Sequence, residues 1–168
     1  MKDRTALYTE MPYDGVRRLF IFAFFVVGVL LAGETATEIW PAGDILEPGL
    51  YLYALSFGAL LVLSASVWGT ALLPLCSMGF GCITGRYAEG IVRAFWLSGS
   101  RDIKGLLVNA VAVPIFFVAA VRGMRSSSML GAMLDRHSPA LRAEYNREYI
   151  PLAVTVLTSM MVLYFISH

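Results

Sequence analysis

Residues 48–85 read PGLYLYALSFGALLVLSASVWGTALLPLCSMGFGCITG, 38 positions without one charged side chain. As a single straight helix this run would be about 57 Å long, close to twice the roughly 30 Å hydrocarbon thickness of a bilayer. It must therefore turn back on itself. Gly69 and Pro74 bracket residues 70–73 and are read as the hinge, since Gly relaxes backbone limits and Pro removes a helical donor. Two spans result, at about 50–68 and 72–97.

The rest of the chain has the same character. Of 168 residues, 58% are hydrophobic and 15% charged, whereas soluble domains carry roughly 45–50% and about 25%. Mean hydropathy is +0.69. Both departures point to lipid as the solvent. An upstream apolar run predicts a first span over 16–33, lengthened by Val16 and the snorkelling stems of Arg17 and Arg18. Downstream runs predict spans over 105–121 and 149–167. The expected fold is all-α: a polytopic transmembrane bundle of about five spans forming one integral domain over 1–168. No small-residue cleavage site follows the first apolar run, which reads as an uncleaved signal anchor.

Orientation follows from Lys and Arg in the short loops. Lys2, Arg4, Arg17 and Arg18 precede the first span, and Arg122, Arg125, Arg136, Arg142 and Arg147 fall between the fourth and fifth. Residues 33–49 hold no Lys or Arg but carry Glu34, Glu38, Asp44 and Glu47. The N-terminus and residues 122–148 are thus expected in the cytoplasm, and the acidic loop outside. An even number of crossings between 50 and 105 is then required, in agreement with the hinge. Arg101 and Lys104 are discordant, because they fall in a turn assigned to the outside.

Few residues carry chemistry. Gly79, Gly81 and Gly85 lie in Gly79-Phe-Gly-Cys-Ile-Thr-Gly85, where the Gly81/Gly85 spacing lets another helix approach closely. That face serves either packing within the bundle or docking of a second membrane protein. Arg86, Glu89 and Arg93 share one helical face. They form either an intramembrane functional cluster or a self-neutralised group near the outer interface. Asn109 and Pro114 interrupt the fourth span, as a kink or as the broken helix of a transport site.

Between spans four and five, Ser126-Ser127-Ser128 reads as the cap of a short interfacial helix with Met129, Leu130, Met133 and Leu134 on its apolar face. Ser138-Pro139 reads as the N-cap and first residue of a following helix. Cys76 and Cys82 lack metal-ligand spacing and are expected as free thiols. The histidines, His137 and His168, join no catalytic frame, and no HExxH or Walker glycines occur. The reading is therefore of a non-enzyme without cofactor or metal. A net charge of +1 supplies no basic field for nucleic acid.

Several of these features, taken in order, resemble the stage II sporulation protein M family. They are the small-residue stretch Gly28-Val-Leu-Leu-Ala-Gly33, then Gly69-Thr-Ala-Leu-Leu-Pro74, then the 79–85 glycines, then Lys104-Gly105, then Leu107-Val-Asn-Ala-Val-Ala-Val-Pro114. The resemblance covers about residues 15–125. The chain departs from it at Val108, where the family usually has Pro, and in the charges of 86–93. It implies a multi-pass protein of the cell membrane that acts as a scaffold. In spore formers the family supports engulfment by holding membrane-anchored peptidoglycan-degrading proteins at the septum. The partners expected are membrane lipid and such proteins, or further copies of the chain. The alternative class is a small permease or permease subunit, resting on the helix breaks and the charge cluster.

Overall fold

The computed structural model describes residues 13–39, 48–98, 103–136 and 139–167. It is an all-α bundle of five helices: α1 (Tyr13–Ile39), α2 (Pro48–Ser64), α3 (Gly69–Ser98), α4 (Ile103–Arg136) and α5 (Pro139–Ser167). No strand occurs among the described residues. By length and composition, three helices can cross a membrane, through Gly15–Ala32, Gly105–Leu134 and Ala140–Ile166. Helix α2 is apolar but shorter, and α3 is not among the three.

Helices α3 and α4 form the centre. Helix α1 packs on α3 and α4, α5 packs on α4 and α2, and α2 covers both central helices. The paired residues fix the directions. Ser77 meets Ile21 and Gly85 meets Ala32, so α1 and α3 run parallel. Tyr53 meets Asn109 and Phe57 meets Phe116, so α2 and α4 run parallel. Tyr53 also meets Tyr87 while Phe57 meets Phe80, so α2 opposes α3. Helices α1 to α4 therefore alternate in direction.

Helix α3 meets α1, α2 and α4, so protein surrounds much of it. Small residues and hydroxyls serve such contacts better than bulky aliphatics. The lipid-type residues sit on the outer helices: Leu19, Phe22 and Leu30 on α1, and Val154, Met161 and Phe165 on α5, are all more than half exposed. The centre is aromatic. Phe80 and Phe116 stack with centroids 3.8 Å apart, and Phe57 and Tyr53 meet Phe80 edge-on at 6.0 and 5.5 Å. Such pairs add about 0.5–1.5 kcal/mol each beyond their area.

The reversal between α2 and α3 is displaced from the expected hinge. It occupies residues 65–68, and α3 starts at Gly69 and continues through Pro74. Serines make the turn. The Ser66 hydroxyl accepts the Trp68 N–H at 3.2 Å, and the Ser66 carbonyl accepts the Gly69 N–H at 3.1 Å. These short side-chain and main-chain bonds mimic a backbone turn. Gly69 is needed for space, since a Cβ there would collide with the Leu63 carbonyl. Pro74 falls early in α3, where its ring opposes only the Thr70 carbonyl of the first turn, and the helix absorbs it.

Helix α4 is continuous from Ile103 to Arg136 through Asn109 and Pro114, so the helix is not interrupted there. One further expectation is corrected. Residues 126–134 are not a separate surface helix but the continuation of α4, which pairs with α5 through Arg125 and Glu148 at 3.6 Å. Helix α5 does begin at Pro139, as read from the sequence, while Ser138 lies outside the described residues.

Candidate functional site

The glycine face of α3 is filled by α1. A Cβ on Gly81 would run into the Phe25 carbonyl, and one on Gly85 would lie 3.0 Å from the Ala32 Cβ and 3.1 Å from the Val29 carbonyl oxygen. From the other side, a Cβ on Gly28 would strike the Met78 carbonyl and lie 3.1 Å from the Cys82 nitrogen. Gly28 and Ala32 thus form a second small pair, four residues apart, facing Gly81 and Gly85. Backbones this close gain dispersion contacts and short dipolar approaches, the main source of helix association in lipid. Ser77 adds a buried bond by donating to the Ile21 carbonyl at 2.9 Å. Of the two readings of this face, packing within the bundle is what the contacts match.

Gly79 is different. Nothing lies within 4 Å of where its Cβ would be, and the residue is exposed. The three glycines grouped by sequence therefore divide into a filled pair and one bare position. The signal for that division was the helical repeat: Gly81 and Gly85 are one turn apart, while Gly79 is two residues off their face.

Some polar groups on the central helices tie one helix to another. The Tyr53 hydroxyl donates to the Asn109 side-chain oxygen in a short bond, and the Asn109 amide donates to the Gly105 carbonyl at 3.2 Å. Asn109 therefore joins α4 to α2. Cys76 and Cys82 are free and partly buried, with the Cys76 thiol 3.8 Å from the Ser56 carbonyl. Among the described residues, no three His, Cys, Asp or Glu side chains converge.

Arg86 and Glu89 pair at 3.8 Å, with side chains 37% and 35% exposed. The Arg93 side chain lies outside the described residues. The pair lies on the outer surface of the bundle and not in its core.

The opposite end holds a hydroxyl cluster that the sequence reading missed. Ser127 of α4 accepts the Thr70 N–H at 2.9 Å and donates to the Ser66 carbonyl at 2.7 Å. It thereby satisfies an orphan donor at the start of α3 from another helix. Beside it, Gly123 leaves room for the Ser64 hydroxyl, which donates to the Leu60 carbonyl at 2.7 Å. Arg17 of α1 donates to the Ser128 hydroxyl at 3.3 Å. Three serines in a row are not by themselves diagnostic of such a contact, and only the placement of α4 against the turn reveals it. Compared with protein-family models, with curated proteins and with solved structures, the chain matches none.

Proposed function

We propose that this protein crosses the membrane five times, N-terminus and residues 122–148 inside, and acts as a non-enzymatic scaffold of the stage II sporulation protein M kind. Several features support the topology. The start of α1, the 65–68 turn and the α4–α5 junction share one end, and that end carries Arg17, Arg18, Arg122 and Arg125, as an inner face should. Trp68, just before α3, and Trp96, near its end, are 73% and 80% exposed and stand roughly 40 Å apart in the direction of the helix. That separation is comparable with the roughly 40–45 Å bilayer thickness including its headgroup regions, in which Trp is enriched. The enclosed α3 thus has the length of a span despite its modest hydropathy.

The observation that carries the scaffold reading is a set of polar ties between helices, at Tyr53–Asn109, Ser77–Ile21 and Ser127–Thr70. Such a bundle is a fixed platform. Its bare glycine position, Gly79, offers a close approach to a partner's membrane helix. The partners of this reading are membrane-anchored peptidoglycan-degrading proteins in a spore former, or further copies of the chain. The alternative, a small permease or permease subunit, rests on the prolines inside α3 and α4 and on the Arg86–Glu89 pair.

A photoreactive residue placed at 79 in the full chain, irradiated in native membranes, tests the scaffold. A discrete protein adduct at 79, absent when the probe replaces the buried Phe57, is the expected result. Adducts to lipid alone would remove the docking face.

A further inference from the structure

A groove of about 370 Å³ lies between α1, α3 and α4 at the Arg17 end of the bundle. Its walls are apolar: Val16, Phe20 and Phe24 from α1, Ala71 and Pro74 from α3, and Met124 from α4. Arg17 and Thr70 are the polar lining residues. Val16 and Phe20 are 48% and 52% exposed, so the groove is accessible from the surroundings of the bundle. From Arg17 to Phe24 it follows two turns of α1, about 10 Å, which is most of the depth of one leaflet's half of the roughly 30 Å hydrocarbon core.

We propose that this groove seats one anionic phospholipid, its phosphate on the Arg17 guanidinium and the upper part of an acyl chain against Phe20, Phe24 and Pro74. Charge complementarity chooses the occupant. Arg17 lines the groove while one of its guanidinium nitrogens donates to Ser128, and a guanidinium fork matches phosphate geometry. Arg18 and Arg122, both exposed, add positive charge at the same end, so an extra negative headgroup is favoured over a zwitterionic one. Basic pockets between helices near the inner surface bind anionic headgroups in this way. The apolar walls exclude a free anion as a complete occupant, since they would stay wet or empty. The seat requires only that the bundle lies in a bilayer, and is independent of the scaffold role.

Native mass spectrometry of the purified full chain, titrated with phosphatidylglycerol or phosphatidylcholine, tests this. The wild type should prefer phosphatidylglycerol by at least about fivefold, the worth of one basic residue near a membrane surface. Arg17→Gln should abolish the preference, and Arg17→Lys should keep part of it. Ala71→Phe, at an exposed position in the groove, should reduce occupancy by phosphatidylglycerol while leaving the circular dichroism melt unchanged. Inorganic phosphate and glycerol phosphate should not displace the lipid. Equal binding of the two lipids, a preference that survives Arg17→Gln, full occupancy in Ala71→Phe, or displacement by inorganic phosphate would each overturn the seat. If the Ala71→Phe melt changes, Phe20→Ser is the replacement groove variant, and unaltered occupancy in it counts against the proposal equally.

Discussion

Ser127 caps Thr70 across 57 positions of chain, its hydroxyl 2.9 Å from the Thr70 nitrogen. Because the same oxygen donates to the Ser66 carbonyl at 2.7 Å, one side chain closes the turn and starts the helix after it. In hydrocarbon or near it, unsatisfied backbone groups are expensive. The turn between α2 and α3 is thus stabilised by α4.

Ser127→Ala should lower unfolding stability by about 1–2 kcal/mol, the usual cost of losing a cap. Denaturant-induced loss of helicity in mixed micelles measures it. A midpoint equal to that of the wild type would show that water or lipid satisfies Thr70 as well as Ser127 does.

Gly81→Leu and Gly28→Leu should force α1 from α3, at a cost of at least about 1–3 kcal/mol for overpacking, because the atoms met are backbone. Gly79→Leu, with open space around it, should leave the melt within about 0.5 kcal/mol. Thermal unfolding of the three variants side by side separates them. Equal behaviour would contradict the parallel α1–α3 register.

Tyr53→Phe removes the donor to Asn109 and leaves a partly buried amide oxygen without it. The Tyr53–Asn109 coupling in a double-mutant cycle with Asn109→Leu should be near 0.6 kcal/mol and below about 1.7, the range found for such bonds in membranes. A coupling of zero would mean the two groups interact independently with their surroundings.

Single cysteines at Val67 and Arg142, in a chain with Cys76 and Cys82 replaced by Ala, should react with a membrane-impermeant maleimide only from the cytoplasmic side. A cysteine at Trp96 should react from the outside. Labelling of positions 67 and 142 from opposite sides would break the five-crossing topology, whatever the orientation.

Much of the architecture was legible one residue at a time. The 38-residue uncharged run had to reverse because its length exceeds one bilayer crossing. The turn nevertheless fell at 65–68, because serine hydroxyls supplied the bonds and α3 tolerated Pro74 in its second turn. Residues 126–134 read as a separate interfacial helix, since the arginines of 122–147 resemble the end of a span. In the fold, α4 simply continues past that point and pairs with α5 through Arg125 and Glu148.

By itself the sequence determined the solvent, the helical class, the need for a reversal and the basic character of one end. All of these depend on length, hydropathy and charge, which add along the chain. Which glycines meet a neighbour, which serine caps which helix and where Arg17 meets an apolar groove were decided only by tertiary structure. Those contacts depend on helix direction and rotation, set by how all five surfaces fit together, and no local window of sequence contains that information.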